Sequence, residues 1–386
     1  MILARPLLPL VVAAALFGTA RPVSADSTGT APAAEYLWVL RGSVIDSARA
    51  GQVVERAQEL GVKALLVQVI GRGDAIHRSR RLPRADAMTD RAGDPFGCLI
   101  ERAHAAGIEV HAWVNCFLVW SADHPPNDPD HVVRTHPEWI ACTAGGRSLM
   151  SLSPELRARF GCEGVYLSAA HEGARAWIAG NCAEIARDYP VDGIHLDYVR
   201  LPGPSVGFDP ATRVAFAIES GIDRLDPPAM TDARQQEVEK AFADFQARQV
   251  TALVAAVRES LAAIRPGLVL SAAVRPDLAD AAHHYGQDWP RWLAEGLLDR
   301  AFPMCYSPDA QVVMDQLATL AGQPDAGRIV PGIAVYNAPP TRVVSHLKGA
   351  RALGFPALAL YSYDSLFERA ETWERLARLL AGGHEP

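Results

Sequence analysis

The twelve residues from Val191 to Pro202 concentrate acidic, cationic and aromatic side chains at the end of an apolar run. Read as a strand, Ile194, Leu196 and Tyr198 share one face while His195 and Asp197 share the other. An acid and an imidazole alternating with apolar residues make a poor surface strand. They suit the inner wall of a closed barrel, whose last inward residue faces a ligand. Asp197 is therefore the first catalytic candidate. The same carboxylate could instead cap the strand end or pair with Arg200, so the surrounding elements have to decide.

Those elements alternate along the chain. Apolar strands are expected at 36–44, 64–70 and 108–115, in a fourth segment carrying Asp197, and at 268–274, 299–306, 328–335 and 357–363. Helices are expected at 47–60, closed by Gly61, at 95–106, 171–188, a long one ending at Ile264, then 288–295, 310–321, 341–353 and 366–380. Eight strand–helix pairs of the α/β class make a (β/α)8 TIM barrel, with long insertions after strands 3 and 4 at 116–170 and 202–237. A doubly wound open sheet is the alternative. The segment Gly42-Ser43-Val44 lacks the glycine-rich dinucleotide pattern that sheet often carries.

Barrel chemistry sits at the C-terminal strand ends. That rule collects Arg41, Gln68, Asp74, Trp113, Asn115, His195, Asp197, Arg275, Asp277, Tyr306, Asp309, Tyr336, Asn337, Tyr363 and Asp364. Trp120 and Tyr361 add to the aromatics. Helix caps alone would supply Asp and Asn, but not these indoles and phenols. Aromatic faces beside carboxylates and directed donors are what a sugar ring requires, so the residues describe a carbohydrate cleft. Glycoside hydrolysis uses two carboxyl groups, one protonated and one ionised. Asp197 is read as the ionised one, with Arg41, His195 or Arg275 lowering its pKa. The proton donor is sought among the strand-end acids Asp277, Asp74, Asp309 and Asp364; Asp277, after Arg275-Pro276 on the next strand, is the nearest and the one expected, with a helix N-cap as its other reading. Arg78, Arg80, Arg81 and Arg84 form a solvated rim or grip an acidic group.

Residues 1–25 carry Arg5, an apolar run from Leu7 to Phe17, and Val23-Ser24-Ala25 before Asp26, the pattern of a cleaved secretory signal. The run falls short of the roughly 18–20 apolar residues of a membrane span, and no later stretch approaches that length. A flexible lead-in is expected over 26–34 and the barrel over 35–383, in a secreted or periplasmic protein. Losing the leader removes Arg5 and Arg21 and no acid, which moves the net charge from −7 to −9. That balance argues against nucleic acid as a partner. Six cysteines enter an oxidising compartment. Their spacing fits no zinc site, and the expected disulfide joins Cys142 to Cys162, a loop whose closure would stabilise by about 3 kcal/mol.

The segments VQVIGRGDA (67–75), GIEVHAWVN (107–115), HPEW (136–139), DGIHLDYVRLP (192–202), VGFDP (206–210), GQDWPRW (286–292) and PMCY (303–306) extend across most of the chain. With them the sequence resembles the bacterial family 10 glycosylhydrolase-like proteins, secreted barrels related to the amylase type. The resemblance implies a (β/α)8 barrel and cleavage of an envelope or extracellular polysaccharide, with peptidoglycan glycan strands among the targets. It also implies that Asp197 matches the fourth-strand nucleophile of amylase-like barrels. Their fifth-strand acid is commonly Glu, where this chain offers Asp277.

Two other readings compete. One is a non-catalytic glycan-binding barrel, which keeps the aromatics without a paired acid. The other is metal-dependent hydrolysis through His195, Asp197 and either His111 or His77; the carboxylate reading needs no cofactor.

Overall fold

The computed structural model describes residues 34–90, 92–368 and 370–380. The expected leader, the lead-in up to residue 33 and residues 381–383 lie outside them. Among the described residues the strands are β1 (Tyr36–Val39), β2 (Ala64–Ile70), β3 (Glu109–Asn115), β4 (Leu118–Trp120), β5 (Val165–Tyr166), β6 (Gly193–Asp197), β7 (Val269–Val274), β8 (Arg300–Cys305), β9 (Gly332–Ala334) and β10 (Ala359–Tyr361). All except β4 and β5 close into a parallel barrel, in the cyclic order β1, β2, β3, β6, β7, β8, β9, β10. This is the expected α/β TIM barrel.

Alternation along the strands divides the apolar residues into two sets. Leu37, Leu65, Val110, Ile194 and Leu196 face outward into the shell of helices, while Trp38, Leu66, Trp113 and Phe302 fill the interior. Helices cover the outer face, which is why β2 is buried along its whole length. Gly193 shows how tightly the interior is filled. A Cβ there would lie 2.3 Å from the His111 ring and 2.9 Å from the Val269 carbonyl oxygen.

Several strands stop earlier than the apolar pattern implies. β1 ends at Val39 and a 3-10 turn, Arg41–Val44, follows. Pro331, which has no N–H to donate, immediately precedes β9. β10 ends at Tyr361 because Ser362 caps a short helix, Tyr363–Phe367, accepting from the Ser365 N–H. The expected last helix is thus two, the second being Ala370–Leu380. After β7, the helix Leu278–Tyr285 occupies what sequence reads as a loop.

The insertions also fold. Between β3 and β6, β4 and β5 form an antiparallel ribbon. Beyond β6, the helices Pro210–Ser220 and Asp232–Ile264 bury Phe216, Phe242 and Phe245 in a satellite core with Phe208. The expected Cys142–Cys162 bridge is not formed, and all six cysteines are free. The Cys142 thiol turns to the Ile140 carbonyl at 3.8 Å and the Cys162 thiol to the Phe160 carbonyl at 3.7 Å. Backbone bridges from Cys142 to Ser148 and from Thr143 to Val206 tie this loop instead. Among the described residues, no helix is long and apolar enough to cross a membrane.

Candidate active site

Asp197 is the last residue of β6 and sits on the inner face at the barrel mouth, 9% exposed. Parallel pairing sets Trp113 beside His195 and Asn115 beside Asp197. The Trp113 indole N–H is shared between Asn115 Oδ1 at 3.0 Å and Asp197 Oδ2 at 3.1 Å. Asp197 Oδ1 accepts from the Tyr198 N–H at 2.7 Å. Tyr198 holds φ at +48°, a left-handed conformation that a bulky residue adopts at a cost of roughly 1–2 kcal/mol.

Burial pushes the Asp197 carboxyl up from 3.8 to about 6. The Tyr198 N–H, the Arg200 charge and the Trp113 indole oppose that rise, and the charge of Glu163 adds to it. None of the cations expected to lower it does so. Arg41 pairs with Asp74, and Arg275 pairs with Asp280 at 3.2 Å while lying over Tyr285. His195 is fully buried beneath the site. Its Nε2 accepts from the Trp38 indole at 3.1 Å, which leaves the proton on Nδ1 for Ser271 Oγ at 2.9 Å. Burial and the neighbouring His111 keep this imidazole neutral. It is part of the barrel interior rather than a substrate contact.

Two cavities meet at Asp197, Tyr198 and Tyr361. The larger, ≈ 470 Å³, is lined by Glu163, Arg200, Arg275, Tyr306 and Tyr336 in addition. It lies within the roughly 300–1,000 Å³ of small-molecule sites. Tyr306 and Tyr361 stack at 5.1 Å with 29° between their planes, and Tyr336 stands edge-on to both, 56% exposed. The buried Tyr306 hydroxyl has no partner among the described residues. The smaller cavity, ≈ 240 Å³, is lined by Arg41, Gln68, Arg72, Trp113 and Asn115 beside the shared residues. Gln68 Nε2 donates to Asn115 Oδ1 at 3.3 Å, and Asn115 Nδ2 to the Gly71 carbonyl at 2.8 Å.

The second acid in the larger cavity is Glu163, which stands in the insertion just before β5. Arg200 Nη2 donates to its Oε1 and the Tyr166 hydroxyl to its Oε2, both at 2.6 Å. Burial raises its pKa, but the Arg200 charge and these hydrogen bonds outweigh that and hold it below the usual glutamate value. Its side chain stays 46% exposed. Asp197 and Glu163 are thus carboxyls of opposite proton affinity on one cavity wall.

Other expected site residues lie elsewhere. Asp277 is an exposed cap of the helix Leu278–Tyr285, accepting from the Asp280 N–H at 2.9 Å, and does not line either cavity. Asp309 likewise caps the helix Ala310–Ala321. Trp120, on β4, packs edge-on against His131 and donates to the His124 carbonyl. Tyr363 begins a helix and packs on Phe367. Asp364 accepts from the Leu40 N–H and Ser43 Oγ. His77 is buried edge-on to Tyr189, and His111 lies in the barrel interior beside Tyr36. No group of three or more His, Cys, Asp or Glu side chains among the described residues is arranged to hold a metal ion.

Comparison with known proteins agrees with this architecture. The family model Glycosyl hydrolase-like 10 matches residues 34–346, and the chain belongs to that family. It is 25% identical over 325 residues to Glycosyl hydrolase DigH of Escherichia coli, covering 74% of this chain and 64% of that one. With Glycosyl hydrolase YngK of Bacillus subtilis it shares 23% identity over 277 residues, covering 66% of this chain and 48% of that one. The match therefore spans less than two thirds of the length of either relative. Among solved structures, the glycoside hydrolase domain of PgaB (BpsB) from Bordetella bronchiseptica superposes with a TM-score of 0.68 at 16% identity, covering 92% of this chain and 99% of that domain. Alpha-L-fucosidase isoenzyme 2 from Paenibacillus thiaminolyticus gives 0.64 at 14% identity, covering 90% and 49%. At such identities these likenesses speak for the fold alone.

Proposed function

We propose that this chain is a glycoside hydrolase of an exported polysaccharide, with Asp197 as proton donor and Glu163 as the ionised partner. The observation carrying this reading is the split in proton affinity between two carboxyls facing one cavity, the pattern that separates acid from base in carboxylate catalysis. A sugar bound across the two cavities places its glycosidic oxygen over Asp197. Its carboxyl, protonated below about pH 6, gives its proton to the leaving oxygen as the C1–O bond breaks, and a water that gives up a proton to the Glu163 carboxylate forms the new bond to C1. The positive charge developing on the sugar ring faces the Glu163 carboxylate, which Arg200 and Tyr166 hold in place. The tyrosines offer the apolar sugar face a stacking surface. Envelope or extracellular glycan, including peptidoglycan strands, is the substrate class that the leader pattern and the family support.

A glycan-binding barrel without turnover is the second reading. It is favoured by Glu163 already having both oxygens engaged. Release of reducing ends from peptide-free glycan strands separates the two. The hydrolase reading expects products from wild type and a loss of at least about 10³-fold in both Asp197→Asn and Glu163→Gln. Saturable binding of strands by wild type with no products favours the binder.

A further inference from the structure

The cations around the two cavities are neutralised, with one exception. Arg200 pairs with Glu163, Arg275 with Asp280 and Arg41 with Asp74. Arg72, on the smaller cavity, engages only its backbone: its N–H donates to Asp74 Oδ1 at 3.0 Å and its carbonyl accepts from His131 at 2.6 Å. Its guanidinium has no hydrogen-bond or ion-pair partner among the described residues.

The turn that presents Arg72 is tightly fixed. A Cβ on Gly71 would come within 2.8 Å of the Arg41 guanidinium. One on Gly73, where φ is +72°, would come within 2.9 Å of His131 Nε2. Burial and the Arg41 charge disfavour the protonated form of Arg72, and the Asp74 charge offsets only part of that. The amides of Gln68 and Asn115 are already engaged with each other and with Gly71. The nearby arginines that sequence suggested for an acidic ligand are used elsewhere. Arg80 pairs with Asp188, Arg81 donates to Asn181, and Arg78 and Arg84 donate to the Ala92 and Gly93 carbonyls.

A partly desolvated guanidinium with free donors, presented to a polar cavity by a fixed turn, is a receptor for a planar anion. We infer that Arg72 recognises a carboxylate on the sugar held in the smaller cavity, so that the chain selects glycans with an acidic residue on that side of Asp197. A neutral sugar leaves the Arg72 donors without an acceptor and its charge opposed only by Asp74, which Arg41 shares, whereas a carboxylate supplies both charge and two acceptor oxygens. This deepens the hydrolase reading by giving the cleft a direction, and recognition itself does not require turnover.

The test titrates the whole chain calorimetrically with two probes, each compared with its carboxyl-reduced alcohol form. One is a hyaluronan hexasaccharide, whose carboxylate is on the ring. The other is a peptide-free glycan tetrasaccharide, whose carboxylate is on a lactyl ether. Wild type should prefer at least one acidic probe by roughly 10- to 100-fold, and the probe that shows the preference identifies the carboxylate source. Arg72→Ala should bring that ratio close to one, and Arg72→Lys should keep part of it. A wild-type ratio near one for both probes, or an unchanged ratio in Arg72→Ala, overturns the inference. Reducing-end release in the same samples separates the two ideas. Carboxylate-dependent binding without products keeps the inference and removes the hydrolase; products without carboxylate dependence do the opposite.

Discussion

Replacing Asp197 by Asn should stabilise the fold at neutral pH while abolishing turnover. Burial raises this carboxyl from 3.8 to about 6, so the folded chain binds its proton more tightly than the unfolded chain does. Its contribution to stability is then fully present below pH 3.8 and is lost as pH rises through about 6. At about 1.4 kcal/mol per pH unit, ionisation in place costs about 3 kcal/mol once complete. The amide removes that cost. It also has one acceptor oxygen for two donors, the Trp113 indole and the Tyr198 N–H, and opposing one of them with an NH2 group costs about 1–2 kcal/mol. The variant should therefore be about 1–2 kcal/mol more stable than wild type near pH 7.5 and less stable by a similar amount at pH 4. Urea unfolding followed by circular dichroism across that range reads the difference. A difference that stays flat with pH, or a variant less stable at pH 7.5, refutes the assignment of a buried, proton-holding acid.

Asp277→Ala should cost about 1 kcal/mol in urea unfolding through loss of its cap and leave glycan turnover at the wild-type rate, because the side chain does not line either cavity. Trp113→Phe removes a hydrogen bond that favours ionised Asp197. The alkaline limb of the kcat/KM profile should move up by about 0.5–1 pH unit. Gly193→Ala drives a Cβ to 2.3 Å from the His111 ring, and should lower unfolding free energy by about 1–3 kcal/mol in a denaturant titration.

The barrel and Asp197 were legible because both follow from strand alternation, which is local. Ile194 and Leu196 had to face the helices, so Asp197 had to face the axis. Glu163 was not legible. It lies in the insertion between β3 and β6, which has no periodicity, and reaches the cavity through the β4–β5 ribbon and Arg200. Asp277 was misplaced because a strand end and a helix cap look alike in sequence; the helical spacing of Leu278 and Ala281 was the signal that could have separated them. The charge of His195 depends on Trp38 and Ser271, 157 and 76 residues away in the chain, and no local pattern announces such partners. The leftover cation, Arg72, emerges only once the ion pairs of its neighbours are known.

The role of Asp197 as proton donor is tested most directly by varying the leaving group with Asp197→Ala. A sugar leaving group needs protonation, whereas fluoride or dinitrophenolate departs without it. The variant should lose at least about 10³-fold in kcat/KM on an oligosaccharide yet stay within about tenfold of wild type on the activated glycoside of the same sugar. Equal losses on both would show that Asp197 attacks or stabilises the sugar instead of protonating the departing oxygen.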